Sequence, residues 1–224
     1  MTALPRPCVY LVTDRRRLAP GARTIAAALA TLERFLDAAI DAAVDVIQVR
    51  ERDVDARALT DLVARVHARA GGAGTRVLVN DRADVALAAG ADGVHLPGDG
   101  LPTGRTRTLA PEWIIGRSVH PGDDPSDAAD VDYLLFGTVF ETASKPAAWR
   151  VAGLDAFGAL AASVRIPVLA IGGVTPARAS AVAAAGGAGV AGISIFLPPP
   201  LGLGPAGAAR ALRDALGAQR SAIL

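Results

Sequence analysis

Short apolar runs alternate along the chain with longer stretches in which apolar residues recur every three or four positions. The short runs are rich in β-branched residues and have the length of buried strands, whereas the longer stretches are typical of helices with one apolar face. This alternation predicts repeated strand–helix units around a parallel sheet. The predicted strands cover residues 8–12, 46–49, 77–79, 93–96, 113–115, 133–136, 168–171 and 190–193.

The stretches between these strands carry helical patterns of unequal strength. The first has an apolar face formed by Ile25, Leu29, Leu32, Leu36 and Ile40. The helix after residue 171 begins with Thr175-Pro176, a favourable pair for an N-cap and a first turn, and the segment 125–129 is the weakest. Eight strands in strict alternation with helices predict a (β/α)₈ TIM barrel over residues 1–224 as a single domain. No G-x-G-x-x-G follows the first strand, which disfavours a dinucleotide-binding sheet.

Composition narrows the partners and the compartment. The chain has 224 residues, with 23 Lys plus Arg against 22 Asp plus Glu, so no basic field points to nucleic acid. The single cysteine, Cys8, excludes an internal disulfide framework and favours a reducing compartment. No apolar signal core precedes the first strand and no stretch is apolar enough to span a membrane, so a cytoplasmic protein is expected. The composition leaves homo-oligomerisation open.

In a barrel of this kind, functional residues come from the C-terminal ends of the strands and the loops after them. Gln48, Arg50 and Arg52 follow the second strand on one side of the chain, where guanidinium groups suit phosphate or carboxylate oxygens. An equally good interpretation from these residues is a salt-bridge network with Glu51 and Asp53. We predict Gln48, Arg50 and Arg52 as substrate-binding residues.

The next three strand ends also carry polar residues. Asn80 and Asp81 follow the third strand, where they suit Mg²⁺ ligation or, more commonly for such residues, the capping of the next helix. His95 lies at the end of the fourth strand, and Ser118 and His120 lie at the end of the fifth. We predict Asn80 and Ser118 as further substrate-binding residues. Two of three histidines at successive strand ends favour acid/base chemistry, because imidazole titrates near working pH.

Two later segments indicate a lid and a phosphate site. Thr142, Ser144 and Lys145 begin a long loop after the sixth strand, and long loops in compact barrels are commonly lids or binding segments. Glycines follow the last two strands, where barrel enzymes repeatedly bind phosphate through backbone N–H groups. The predicted phosphate-binding residues are Gly172, Gly173, Ile193 and Ser194.

The motifs of the chain, taken in order, resemble those of the thiamine phosphate synthase and TenI superfamily. They are YLVTD, IQVRER, VNDRADVALAAGADGVHLP, IIGRSVHP, DYLLFGTVFETASK, PVLAIGGVT and GVAGISIF, and they run from Tyr10 to Phe196. The resemblance implies a (β/α)₈ barrel in thiamine biosynthesis that binds a small phosphorylated thiazole. It implies one of two activities: a Mg²⁺-dependent synthase that joins pyrimidine methyl pyrophosphate to thiazole phosphate, or a metal-independent thiazole tautomerase.

Single positions separate these two activities. The synthase pattern Q-x-R-x-K has Arg52 in place of its lysine, and the second metal-binding Asp of the synthase corresponds to Gly100. The string from His95 to Gly100 is more similar to the tautomerase loop. Asn80, Asp81 and Lys145 suit the synthase equally well, and residues 146–152 match neither loop.

The sequence therefore favours a TenI-like tautomerase, which isomerises thiazole phosphate carboxylate to its aromatic tautomer. The resemblance implies His120 as the catalytic acid and base, Arg50 as the partner of the substrate carboxylate, and no cofactor. Side-chain alternation at the end of the fifth strand predicts that Ser118 and His120 share the barrel mouth and that this imidazole is partly desolvated. The alternative is the synthase with Mg²⁺ on Asp81, and a second alternative is a non-catalytic ligand-binding regulator on the same barrel.

Overall fold

Eight parallel strands close into a barrel in the computed structural model, which describes residues 4–123, 129–142 and 151–217. Each strand pairs with its neighbours in chain order, and β8 closes the barrel against β1. The predicted TIM barrel is thus confirmed, with several strand ends moved by one to four residues. The strands are β1 Cys8–Val12, β2 Val46–Val49, β3 Arg76–Asn80, β4 Gly93–Leu96, β5 Ile114–Val119, β6 Tyr133–Gly137, β7 Val168–Ile171 and β8 Gly189–Gly192.

Helices lie between the strands and cover the outside of the barrel. Where side-chain caps form, the helices begin as the sequence predicts: Thr175 accepts a hydrogen bond from the N–H of Arg178, and Pro176 occupies the first turn. Most of the weak segment 125–129 lies outside the described residues. The helices are α1 Arg15–Leu18, α2 Ile25–Asp41, α3 Ala56–Ala70, α4 Ala83–Ala89, α5 Thr103–Leu109, α6 Gly153–Ser163, α7 Pro176–Ala184 and α8 Gly204–Gly217.

The strands separate two apolar layers. Side chains pointing outward, such as Val9 and Ile47, pack under the helices, while the inner layer includes Cys8, Leu78 and Tyr133. Gly116 gives the Tyr133 ring its space, because a Cβ at this glycine would overlap the ring. A large aromatic side chain can therefore cross the barrel interior. In the part of the chain that the structure describes, no helix has the length and apolarity to cross a bilayer.

Three aspartates lock neighbouring strands together at the N-terminal face of the barrel. Asp45, Asp92 and Asp132 each stand just before an even-numbered strand and accept a hydrogen bond of 2.7 to 2.8 Å from a backbone N–H of the preceding strand. Each carboxylate also pairs with an arginine, which satisfies its charge. The donors and cations are Val9 with Arg213, Val77 with Arg76, and Ile115 with Arg107. Ala188 stands at the corresponding place before β8.

Replacing Asp132 with alanine is expected to lower the free energy of unfolding by about 2 kcal/mol. The substitution leaves the N–H of Ile115 and the guanidinium of Arg107 without their shared acceptor, and the side chain of Asp132 is only 8% exposed. Urea unfolding measures the change. Asp41→Ala is the matched control, since its 66% exposed side chain pairs with Arg69 on the helix surface and contributes at most about 0.5 kcal/mol. Equal losses in both variants would contradict the proposed strand lock.

Candidate functional site

His95 is buried at the centre of the barrel mouth, where its two ring nitrogens have partners. Nε2 lies 2.8 Å from Oγ of Ser118, and Nδ1 lies 3.0 Å from the hydroxyl of Tyr133. Burial lowers the pKa of His95 to about 3, and the nearby charge of Arg50 adds to the shift. The imidazole is therefore neutral at neutral pH.

The hydrogen bonds continue across the barrel to β3. The hydroxyls of Tyr133 and Tyr10 lie 2.8 Å apart, Tyr10 donates to Oε1 of Gln48, and Nε2 of Gln48 donates to Oδ1 of Asn80. Because Tyr10 gives its only proton to Gln48, Tyr133 must donate to Tyr10. The neutral His95 then donates from Nδ1 to Tyr133 and accepts from Ser118 at Nε2. The network fixes one orientation for each polar group that reaches the mouth.

Arg50 projects a half-buried guanidinium group at this mouth. Burial, followed by the like charge of Arg52, lowers its pKa. Over residues 4–123, 129–142 and 151–217, the guanidinium makes no ion pair, although its backbone N–H donates to Thr13. Arg52 is exposed and also has no ion-pair partner in these ranges. Two cations therefore stand at the end of β2, and no carboxylate of the described residues pairs with either.

The salt-bridge network considered from the sequence exists, but with different arginines. Arg15 binds both carboxylates: Nη1 lies 3.0 Å from Glu51 and Nη2 lies 2.5 Å from Asp53, which also pairs with Arg16. The Arg15 guanidinium holds the pKa of Asp53 below its usual range, whereas burial raises the pKa of Glu51. Because Arg15 takes these two carboxylates, the network with Arg50 and Arg52 is a wrong interpretation.

A cavity of about 270 Å³ opens beside the polar network at the ends of β2, β3 and β4. The side chain of Asp81 is exposed here on a backbone with φ of +65°, and its N–H donates to the carbonyl of His95. The capping interpretation of Asn80 and Asp81 is wrong, because Arg82 occupies the N-cap of α4 and no side chain caps that helix. The lining residues are Glu51, Arg52, Leu59, Asn80, Asp81, Arg82, Pro97 and Asp99.

Gly100 lies directly beside the Asp81 carboxylate. A Cβ at Gly100 would stand 3.1 Å from Oδ1 of Asp81, so residue 100 occupies the place from which a second carboxylate would meet the first. Asp99 lines the same cavity. Within the described ranges, no three His, Cys, Asp or Glu side chains gather into a cluster that would hold a metal ion.

His120 follows β5 and lies at the surface. Its side chain is 49% exposed, and Nδ1 is 3.3 Å from Oδ2 of Asp123. About half of this side chain is therefore exposed to solvent, because β5 ends at Val119 and the backbone N–H of His120 donates to Asp123. Ser118, two residues before His120, bonds to His95.

The glycines after β7 form a tight turn. Gly172 and Gly173 have φ values of +100° and +64°, and a Cβ on Gly173 would overlap the carbonyl of Glu141. Arg178 fixes the turn by donating to the carbonyl of Gly173 at 2.7 Å. No backbone carbonyl of the described chain accepts from the N–H of either glycine. Both N–H groups are thus candidate donors to a bound anion.

Ser194 follows Ile193 in the loop after β8 and receives a hydrogen bond that the sequence did not indicate. Nη1 of Arg17, in α1, donates to Oγ of Ser194 at 2.8 Å. Thr142 lies within the described residues, whereas Ser144 and Lys145 lie outside them, together with residues 146–150 of the loop.

Sequence reasoning missed four side chains of this region: Tyr10, Arg15, Arg17 and Tyr133. One pattern could have found the tyrosines, because each stands at an alternate, inward position of a short strand where smaller apolar residues are usual. The roles of the two arginines depend on partners 36 and 177 residues away, and no local pattern encodes such distances.

Comparisons with known proteins show the family of this chain. The family model described as thiamine monophosphate synthase matches residues 9–196. The thiamine-phosphate synthase of Roseiflexus castenholzii is 40% identical over 218 residues, covering 96% of this chain and 90% of that protein. The corresponding enzyme of Moorella thermoacetica is 40% identical over 171 residues, with coverages of 75% and 80%.

Solved structures share the barrel fold. A thiamine phosphate pyrophosphorylase from Pyrococcus furiosus superimposes with a TM-score of 0.78 at 29% identity, covering 94% of this chain and 98% of that chain. A 3-hexulose-6-phosphate synthase from Salmonella typhimurium, at 19% identity and a TM-score of 0.64, shares the barrel fold over 93% of this chain and 98% of that chain. The chain belongs to the thiamine monophosphate synthase family of thiamine biosynthesis.

Proposed function

We propose that this protein is a thiamine phosphate synthase, which joins pyrimidine methyl pyrophosphate to thiazole phosphate and releases pyrophosphate. The observation that carries the proposal is the 40% identity to the Roseiflexus castenholzii thiamine-phosphate synthase over 96% of this chain. The sequence motifs alone favour the tautomerase. The curated relatives favour the alternative that the motifs left open.

The unpaired cations at the end of β2 suit the departure of pyrophosphate. Negative charge grows on the leaving group as its bond to the pyrimidine methylene carbon breaks, and fixed cations in a partly dry site stabilise that charge. Arg50 is half-buried and Arg52 is exposed beside it, neither with a carboxylate partner in the described ranges. We assign Arg50 to the leaving pyrophosphate, with Arg52 as a second contact.

The carboxylates of the neighbouring cavity fit a Mg²⁺ ion. Asp81 and Asp99 both line the cavity and are exposed, and Mg²⁺ is commonly held by one or two carboxylates together with substrate phosphate oxygens and water. Asp81 would hold the ion, with Asp99 as the available second carboxylate in place of residue 100. When bound, Mg²⁺ would neutralise charge on the pyrophosphate.

The neutral polar network would orient the rest of the substrates. Gln48, Asn80 and Ser118 offer amide and hydroxyl groups whose orientations are fixed through the buried tyrosines and His95. A preorganised group loses little entropy on binding, so these side chains suit the polar edges of a ring. Thr142, Ser144 and Lys145 remain proposed contacts from the loop after β6.

The thiazole phosphate would bind between the loops after β7 and β8. Gly172 and Gly173 present N–H groups that no described backbone carbonyl accepts. Ile193 and Ser194 stand at the end of the neighbouring strand, and a phosphate is well suited to several converging backbone donors. The two phosphorylated substrates would then bind at one barrel mouth, the pyrophosphate at the ends of β2 to β4 and the thiazole phosphate at the ends of β7 and β8.

A paired assay tests the proposal. Purified protein receives pyrimidine methyl pyrophosphate, thiazole phosphate and Mg²⁺ in one reaction, and thiazole phosphate carboxylate without metal in the other. We expect thiamine phosphate in the first reaction and its loss on addition of a chelator. Isomerisation without synthesis would replace the synthase by the tautomerase, and no turnover in either reaction would favour a ligand-binding regulator.

The thiazole tautomerase remains the second candidate because of two positions. Gly100 removes the carboxylate that would face Asp81, and His120 forms a pair with Asp123 at the barrel mouth. An imidazole whose Nδ1 is held by a carboxylate can give and take a proton at Nε2. A tautomerase needs this exchange and no metal.

His120→Ala separates the two candidates. A tautomerase is expected to lose about a hundredfold in isomerisation rate, the contribution of a positioned acid and base, while it retains affinity for thiazole phosphate. A synthase is expected to retain its rate of thiamine phosphate formation within about twofold, because the exposed imidazole takes no part in that reaction. His67→Ala, on α3, is the matched control in both assays. A large loss of synthase activity in the His120 variant, but not in the His67 variant, would contradict the expectation that His120 takes no part in synthesis.

A further inference from the structure

We infer that Arg17 recognises the phosphate ester of the thiazole substrate and makes the protein select the phosphorylated form over the free alcohol. The inference rests on the proposed phosphate site after β7 and β8. It adds to that site a cation from the segment after β1, the strand that pairs with β8 to close the barrel.

Arg17 is the last of three consecutive arginines with different partners. Arg15 binds Glu51 and Asp53, and Arg16 binds Asp53, so acidic groups neutralise both. Arg17 forms no ion pair with any residue in 4–123, 129–142 or 151–217. Its guanidinium donates instead to a neutral group, Oγ of Ser194. The structure therefore leaves one of three neighbouring positive charges uncompensated.

The position of Arg17 is built into the fold. Asp14 caps α1 by accepting a hydrogen bond from the backbone N–H of Arg17 at 3.2 Å. This bond fixes the backbone position from which the Arg17 side chain extends. β1 pairs with β8 through Leu11 and Gly192, so the segment after β1 adjoins the loop after β8. Arg17 is also partly buried, which limits the freedom of its long side chain. The guanidinium is thereby held beside Ser194 before any ligand arrives.

The proposed phosphate site after β7 and β8 has no positive charge among its assigned residues. A phosphate monoester carries a charge of about −1.5 to −2 at pH 7, whereas the residues assigned to it, Gly172, Gly173, Ile193 and Ser194, are all neutral. Because Ser194 accepts from Arg17, its own hydroxyl proton is free to donate to a phosphate oxygen. The remaining N–H groups of the guanidinium offer further charge-assisted donors. The free thiazole alcohol is neutral and would not form these charge-assisted hydrogen bonds.

Binding measured by calorimetry tests the inference without turnover. Thiazole phosphate and thiazole alcohol are titrated into the full-length parent protein and the variants Arg17→Ala, Arg17→Lys and Arg16→Ala. We expect Arg17→Ala to weaken thiazole phosphate binding by about 10- to 100-fold and to leave alcohol binding unchanged. Arg17→Lys should retain part of the affinity, because lysine keeps the positive charge but lacks the planar set of donors that a guanidinium offers to two oxygens. Arg16→Ala, at a 73% exposed side chain, should bind both ligands like the parent.

Salt dependence separates a charge effect from a structural one. The parent's affinity for thiazole phosphate should fall with increasing KCl more steeply than that of Arg17→Ala. Salt screens the attraction between Arg17 and the phosphate, and the variant lacks this attraction. Parent-like phosphate binding by Arg17→Ala, or equal weakening for phosphate and alcohol, would overturn the inference. If the parent forms no thiamine phosphate but Arg17→Ala still loses phosphate selectivity, the synthase proposal fails and the role of Arg17 stands.

Discussion

Replacing Arg50 with alanine is expected to reduce kcat/KM for thiamine phosphate formation by about 10²- to 10³-fold, the usual cost of removing a preorganised charge donor from a reacting centre. The guanidinium is half-buried beside the neutral His95 and has no carboxylate partner in the described ranges. Its interaction with a leaving pyrophosphate would thus face no competing ion pair. The loss should fall mainly on kcat, because the leaving group gains charge in the transition state.

Two further variants define the origin of this loss. Arg50→Lys keeps a cation but loses the two-pronged geometry, so we expect an intermediate loss of about tenfold. Arg57→Ala, on the exposed surface of α3, is the control and should match the parent. Steady-state kinetics with both substrates and saturating Mg²⁺ measure all three. An Arg50→Ala enzyme with the parent's kcat/KM would show that the charge of Arg50 does not act on pyrophosphate.

Arg50 illustrates what a local pattern can and cannot predict. Its place at a strand end, and hence at the barrel mouth, follows from the strand alone. Its lack of an ion pair depends on Arg15, which lies 36 residues from Glu51 and 38 from Asp53 and binds both. The sequence placed these two carboxylates beside Arg50 and left the choice between pairing and binding open. The packing of α1 against the end of β2 determines that Arg15, and not Arg50, pairs with these carboxylates.

The strands themselves were predictable because their apolar runs are buried on both faces. Four of the eight predicted spans match the observed ones, such as Cys8–Val12 and Val168–Ile171. The shifted ends, including Asn80 and Val119, carry ladder hydrogen bonds beyond the apolar run. Helix α1 was not predicted, since four residues with three arginines show no helical period. Its stability comes from the Asp14 cap and from the carboxylates that bind Arg15.

The two histidines show why strand-end position is weaker evidence than register. His95 lies one residue before the end of β4 and points into the barrel, where Tyr133 and Ser118 bind it. His120 lies one residue beyond β5 and turns to solvent with Asp123. A difference of a residue or two at a strand end thus separates a buried neutral imidazole from an exposed one. Periodicity cannot fix strand ends that finely.

Acidification is expected to destabilise the protein through His95. Its folded-state pKa of about 3 lies below the ordinary histidine value of 6.5, so the unfolded chain binds one more proton between these two pH values. The contribution to stability is fully present above about pH 6.5 and is lost as pH falls towards 3. At about 1.4 kcal/mol per pH unit, the loss reaches about 3 kcal/mol near pH 4.

His95→Gln isolates this loss from the titration of the carboxylates. Glutamine has a similar length and can bond to Tyr133 and Ser118, yet it does not titrate, so its stability should fall by about 3 kcal/mol less than the parent's between about pH 7 and pH 4. Urea unfolding at both pH values measures the difference. NMR of the parent's imidazole gives a second measure that does not depend on the variant folding, because the His95 ring should stay neutral to below about pH 4. An imidazole that titrates near pH 6.5, or a glutamine variant with the parent's full acid sensitivity, would mean that His95 exchanges protons with water. The buried chain from Ser118 to Asn80 would then have to rearrange whenever this histidine gained a proton.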